Sequence, residues 1–261
     1  MSLEEAFARA RAKGDIALVA YWPVGFPSMP ASKRAIAALE RAGADIIEFG
    51  IPFTDPIADG PTIQAAGQAA LSKGANPGAC LRAMKEMRIK APSLVLTYYN
   101  LIYKMGLEEF AAKASETGAE ALLVADLPID ESGPLERACA KKGVKTCFII
   151  APNTPSERIK EIAGHTTGFL YLMAHYGVTG ARSSLKRITV EAVERAKAAA
   201  PSVPLCVGFG ISRRQHIEAL RKAGADGAVV GSAFIQLALA ERTEKKWLRE
   251  VSALVRKLKG A

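Results

Sequence analysis

The sequence contains no apolar run long enough to cross a bilayer. Its opening stretch, MSLEEAFARARAKGD, is charged and amphipathic and lacks the apolar core of a secretion signal, so a cytoplasmic protein is expected. Cysteine is scarce, with Cys80, Cys139, Cys147 and Cys206 far apart and no CxxC pair. That spacing argues against a disulfide framework and against zinc. Cys147 and Cys206 sit inside apolar strand-like runs, as buried thiols do. No Gly-rich dinucleotide fingerprint follows the first strand-like run, which disfavours a doubly wound open sheet. No linker, low-complexity tract or shift of composition divides the chain, so residues 1–261 are expected to form one domain. The net charge of +9 does not come from a nucleic-acid-binding tract. Basic residues are spread along helical patterns, and the one modest cluster, EKKWLREVSALVRKLKGA, reads as the solvated face of a C-terminal helix. A positive surface also draws in anionic metabolites.

What the sequence does contain is a recurring unit: a helical pattern, a glycine, then an apolar strand. It occurs around Gly43 (ERAGADIIEFG), Gly118 (SETGAEALLVAD), Gly143 (AKKGVKTCFIIA) and Gly224 (RKAGADGAVVG). A glycine there suits the left-handed residue that ends a helix. The apolar runs fall at 17–22, 45–50, 93–99, 121–127, 145–151, 168–174, 204–210 and 227–232. They are near-continuous rather than alternating, the mark of strands covered on both faces. Eight such strands alternating with helices predict an α/β chain folded as a single (β/α)8 barrel, with an extra N-terminal helix before the first strand.

In such a barrel the active site gathers at the C-terminal strand ends, and strand side chains alternate between lumen and helix layer. The stretch EFGIPFTDPIADGPTIQ, residues 48–64, therefore draws notice. Glu48 lies two residues before the end of the second strand. If it faces the lumen, so does Ile46, while Ile47 and Phe49 pack against helices. A carboxyl so placed has a raised pKa, useful for proton transfer. A structural ion pair is the competing role, but Lys145 is the only basic residue in the eight runs. Asp55 and Asp59 follow in a loop with Pro52, Pro56 and Pro61. Each aspartate suits either turn formation or catalysis, and the prolines favour a loop held rigid for chemistry. The spacing of the two aspartates, with no histidine near, does not suit a metal. GFGIS after strand seven and VVGSAF after strand eight place Gly210 and Gly231 where backbone N–H groups of this fold bind phosphate. AHYGVTGARSS, residues 174–184, reads as a lid. His175 within it is either catalytic or merely solvated, and Tyr98 and Tyr171 line either the pocket or the core.

With these segments assembled, the sequence resembles the tryptophan synthase alpha chain family over nearly its whole length. The most specific segments are EFGIPFTDPIADGPTIQ, LTYYNLIYKMG, LLVADLP, GVTGARSS, VGFGIS and VVGSAF. The resemblance implies a (β/α)8 barrel that cleaves indole-3-glycerol phosphate to indole and glyceraldehyde 3-phosphate with no cofactor of its own. It implies a pyridoxal-phosphate beta chain as partner in an α2β2 assembly, and neither nucleic acid nor membrane. Carried over by position, Glu48 matches the family's acid/base glutamate, Asp59 its indole-side aspartate and Tyr171 its pocket tyrosine. Gly180, Phe209, Gly210, Gly231 and Ser232 match phosphate-binding positions. Thr179 matches the lid threonine that contacts the aspartate-bearing loop after strand two. Pro52, Asp55, Asn100, Asp126 and Pro128 match positions that communicate with the beta chain. The chain departs from the family at Ala174, His175 and Tyr176, where relatives carry small or hydroxylated residues. Other phosphate-binding barrels, phosphoribosylanthranilate isomerase and indoleglycerol-phosphate synthase, would share the strand seven/eight site. They would not need Glu48 followed by this loop, and the strand lysine typical of the latter is missing. A non-catalytic activator of the beta chain would not need both Glu48 and Asp59.

Overall fold

Each predicted apolar run becomes a strand: β1 (Ala17–Pro23), β2 (Ile46–Gly50), β3 (Ser93–Thr97), β4 (Ala121–Val124), β5 (Lys145–Ile150), β6 (Leu170–Met173), β7 (Leu205–Gly208) and β8 (Gly227–Val230). The computed structural model describes residues 1–173, 187–208, 210–241 and 243–260. The strands close in chain order into one barrel, every neighbour parallel and β8 returning to β1. Helix α1 (Leu3–Ala12) precedes β1, and α2 (Met29–Ala42) follows it. Among the described residues, two of the crossovers carry more than one helix. Between β2 and β3 lie α3 (Pro61–Leu71) and α4 (Pro77–Met87), and between β3 and β4 lie α5 (Tyr99–Met105) and α6 (Leu107–Glu116). Then α7 (Ile129–Lys141), α8 (Ser156–His165), α9 (Arg187–Ala199) and α10 (Arg214–Lys222) follow the next four strands, and α11 (Ser232–Ala240) and α12 (Glu244–Lys259) follow β8.

The four punctuating glycines all take positive φ. At Gly43, with φ 107° and ψ 20°, the N–H turns back to the carbonyl of Glu40, ending α2 so that β2 can start three residues later. The amphipathic α12 buries Trp247, Val251, Val255 and Leu258 and leaves its basic residues outward as its sequence predicts, except Lys259, which turns in to Asp45. Trp247 stacks on Trp22 of β1 with centroids 5.6 Å apart and planes at 16°. Such a pair adds about 0.5–1.5 kcal/mol beyond the area it buries.

Helix α1 lies across the N-terminal ends of the strands. It starts with a capping box, in which the Ser2 hydroxyl accepts the Glu5 N–H and the Glu5 carboxylate accepts the Ser2 N–H. Three carboxylates sit just ahead of strands to receive it. Asp45, before β2, pairs with Arg9 at 3.3 Å, and Asp226, before β8, pairs with Arg11 at 2.8 Å. Glu120, before β4, accepts the Leu3 N–H at 3.0 Å. Asp45 and Asp226 also accept the N–H groups of Leu18 and Leu205, tying the same carboxylates into the strand ends. Phe7 of α1 meets Phe169 edge-on at 6.0 Å. A Cβ on Gly227 would stand 3.3 Å from the Phe7 ring, so the helix closes the lumen from below. Lys145, the basic residue of the strand runs, is spent here on Glu4 and Glu120 rather than on Glu48.

Candidate active site

Glu48 is the paired neighbour of Tyr21 on β1 and of Leu94 on β3. Its charge is felt at Cys147 on β5 and at Cys206 on β7, strands on the far side of the barrel. The side chain therefore points into the lumen, as the alternation predicts. It is fully buried, and neither carboxylate oxygen has a hydrogen-bond partner among the described residues. An ionised group in that setting is strongly disfavoured. Burial first, and then the nearby charge of Asp59, push the Glu48 carboxyl up to about 8.

Asp59 is held by its surroundings more than by prolines alone. Its N–H donates to the Pro56 carbonyl at 3.2 Å, and its own carbonyl accepts the Gln64 amide at 2.8 Å. The Ala58 N–H donates to the phenol oxygen of Tyr98 at 3.2 Å, and the same phenol favours the ionised form of the Asp59 carboxyl. Phe53 packs on the Tyr98 ring with centroids 5.1 Å apart. Pro52 is buried and Pro56 half-buried, whereas Pro61 leaves the loop altogether and starts α3, where a missing N–H costs nothing. Partial burial pushes Asp59 up to about 6, with Tyr98 opposing the rise. Asp55 is not part of this cluster; it is exposed and, among the described residues, accepts the hydroxyl of Thr54.

Two carboxyls with separated pKa values can hold opposite protonation states near neutrality. Glu48 keeps its proton up to about pH 8, while Asp59 has lost its own above about pH 6. One can give a proton and the other can face a developing positive charge.

Tyr21 and Tyr171 complete the chamber. A Cβ on Gly208 would lie 2.0 Å from the Tyr171 hydroxyl, and one on Gly50 would lie 2.3 Å from the Tyr21 hydroxyl. The glycines at these strand ends thus give the rings room. Burial holds both phenols above their ordinary range, so they stay neutral donors. The alternation in ALVAYW puts Tyr21 on the same face as Val19, although in sequence an aromatic in a buried strand is indistinguishable from core.

Gly231 sits before α11, with Ser232 as its first residue and no side chain capping that end. The Phe234 N–H turns back to the Gly231 carbonyl at 2.9 Å, which leaves those of Ser232 and Ala233 for a ligand. Gly210 is exposed with φ 73° in the loop after β7. Gly180, Thr179 and Phe209, together with Ala174, His175 and Tyr176, lie outside the described residues. On the rim, Asp126 accepts the Tyr99 N–H at 2.7 Å and so ties the loop after β4 to the start of α5. Asp126 and Pro128 line a groove of about 340 Å³ with Leu127, Ile129, Phe148 and Arg158. Asn100 and Pro128 are exposed, as are Tyr103 in α5 and Ile57 in the loop after β2. All four cysteines are buried free thiols. Among the described residues no group of three or more His, Cys, Asp and Glu side chains could hold a metal, and no helix is long and apolar enough to cross a membrane.

Fold and mouth together define a (β/α)8 barrel equipped for proton transfer. The family model for the tryptophan synthase alpha chain matches residues 7–261. The tryptophan synthase alpha chain of Methanocaldococcus jannaschii is 44% identical over 240 residues, covering 91% of this chain and 84% of that one. The Arabidopsis thaliana alpha chain is 35% identical over 263 residues, covering 100% of this chain and 95% of that one. Among solved structures, a tryptophan synthase of Mycobacterium tuberculosis superposes with a TM-score of 0.90 at 34% identity, covering 99% of this chain and 96% of that one. A chain from the mutually activating tryptophan synthase α2β2 complex of Pyrococcus furiosus gives 0.88 at 37% identity, covering 95% and 99%. The chain belongs to the tryptophan synthase alpha chain family.

Proposed function

We propose that Glu48 and Asp59 carry out the reaction of this family, the carbon–carbon cleavage of indole-3-glycerol phosphate to indole and glyceraldehyde 3-phosphate in tryptophan biosynthesis. The observation that carries the assignment is Glu48 itself, a fully buried carboxyl with no hydrogen-bond partner among the described residues, at the mouth end of β2 and within the field of a second carboxyl. Protonated Glu48 gives its proton to the ring carbon that bears the side chain, and positive charge develops on the ring nitrogen. The Asp59 carboxylate faces that N–H and stabilises the cation. Glu48, now a carboxylate, takes the proton of the adjacent chain hydroxyl. The oxygen closes to an aldehyde, and the electron pair of the breaking carbon–carbon bond returns to the ring. The proton balance is zero and no electrons leave the substrate, so the step requires no cofactor in this chain.

Gly210, Gly231 and Ser232, with Gly180 and Phe209, hold the phosphate, and Tyr171 walls the ring pocket. The partner is the tryptophan synthase beta chain, in an α2β2 assembly where pyridoxal phosphate serves the beta subunit's own chemistry. It docks on the rim of residues 52–59, 100–105 and 126–130, which carries Pro52, Asp55, Asn100, Asp126 and Pro128. The exposed Ile57 and Tyr103 give that rim apolar anchors. Thr179 of the lid couples to the loop after β2. Residues 1–261 act as one catalytic domain in the cytoplasm.

The test is indole release from indole-3-glycerol phosphate by the isolated chain. Glu48→Gln and Asp59→Asn should each lower turnover by about 10²–10⁴-fold with the circular dichroism spectrum unchanged. Wild-type turnover in either variant would remove that residue from the mechanism.

A further inference from the structure

Tyr21 stands where the two ends of the site meet. It is paired in register with Glu48, so both side chains face the lumen. Its hydroxyl overlies Gly50 at the end of β2, while the near edge of its ring lies against Gly231, where an added Cβ would come within 2.7 Å of Cδ1. The ring thus spans from the carboxyl-bearing loop to the head of α11. Tyr21 is only 8% exposed, and its hydroxyl makes no hydrogen bond among the described residues. That oxygen is open to a ligand in the chamber, and a ligand hydroxyl placed against it gains a hydrogen bond.

We infer that the Tyr21 hydroxyl positions the substrate's side chain, by a hydrogen bond to one of its hydroxyl groups between the Glu48 carboxyl and the α11 N-terminus. This rests on the reading of the ligand as indole-3-glycerol phosphate. In that ligand the ring N–H faces Asp59 and the phosphate faces Gly231. The polar atoms left at the level of Glu48 are the chain hydroxyls. A neutral phenol can donate to such a hydroxyl, or accept from it, without competing for the proton that Glu48 moves. Holding the chain there fixes the carbon–carbon bond relative to the acid, which is where orientation affects rate.

The test compares Tyr21→Phe with the wild-type chain on two ligands. One is indole-3-glycerol phosphate, followed by indole release. The other is an indole-3-propyl phosphate, which keeps ring and phosphate but lacks the chain hydroxyls, followed by calorimetric titration. Tyr21→Phe should lower kcat/KM for the substrate by about 10-fold, the worth of one hydrogen bond, while its Kd for the propyl analogue stays within about twofold of wild type. An equal loss on both ligands assigns the effect to ring packing and overturns the inference, as does no loss on either. If the wild-type chain, alone and with a beta chain, releases no indole, the substrate reading falls and this inference with it.

Discussion

The phenol of Tyr98, just after β3, receives the Ala58 N–H at 3.2 Å and holds down the pKa of the Asp59 carboxyl in the loop after β2. One buried side chain thus fixes both the position of Asp59 and its charge. Removing the hydroxyl in Tyr98→Phe takes away the interaction that lowers the Asp59 pKa, so the acid limb of the kcat/KM profile should move above pH 6. An interaction with a charged group is worth up to about 1.5–3 kcal/mol, which would carry the limb to about pH 7–8 and lower activity at pH 7 by roughly 2- to 15-fold. The measurement is the full pH–rate profile, and an acid limb that stays in place would show that Asp59 does not depend on Tyr98.

In the wild-type chain the profile should be bell-shaped. Below about pH 6 Asp59 gains a proton and loses its charge, and above about pH 8 Glu48 loses the proton it must donate. The same shift enters stability. The folded-state pKa of Glu48 lies above its unfolded value, so between about pH 4.5 and 8 the folded chain retains a proton that the unfolded chain releases. Stability from this group therefore falls as pH rises through that window. Glu48→Gln should abolish the fall, leaving a variant that gains on wild type by on the order of a few kcal/mol between pH 5 and pH 8. Denaturant melts at the two pH values would show it. A constant difference would mean that Glu48 is not held protonated.

Ser232→Asp places a carboxylate at the first residue of α11, in competition with a bound phosphate. The expected result is a rise in KM of about 10-fold or more with kcat little changed, since the acid/base pair is untouched. Inorganic phosphate should inhibit the wild-type chain and lose that effect in the variant. An unaltered KM would move the phosphate elsewhere.

The rim anchors are separable from the chemistry. Ile57 is 82% exposed and Tyr103 67% exposed. Tyr103→Ala, alone or with Ile57→Ser, should weaken association with the beta chain by about 2 kcal/mol per anchor in titration calorimetry. Indole release by the isolated chain should be unaffected. Association as tight as wild type would place the interface on another face.

The barrel was legible because burial on both faces leaves a simple record: a near-continuous apolar run, then polar turns. Gly43 and Gly224 marked helix ends because few residues other than glycine adopt their φ of 107° and 96° at low cost. Glu48 was legible as a lone carboxylate in an apolar strand with no cation near it in the pattern. Tyr21 was not, because a tyrosine in a strand looks the same whether it fills a core or faces a substrate. Pro61 was read as loop stiffening, whereas it is the first residue of α3. The docking of α1 had no local signature either. Arg9 and Arg11 reach partners 36 and 215 residues away, and such pairings are set by the closed barrel rather than by neighbouring sequence.

That docking makes the barrel a blind well, sealed at one end by a helix and open at the other. Beneath Glu48 the lumen is packed with strand side chains such as Val19 and Ile46, and the helix covers the foot of that packing. The stopper is clamped by Asp45, Glu120 and Asp226 at the foot of the staves, far from anything the substrate touches. If α1 is cut away, what is laid bare is the floor: Phe169 and the strand starts at Gly227 lose the cover of Phe7. The first dozen residues of the chain thus serve the end of the barrel opposite its chemistry.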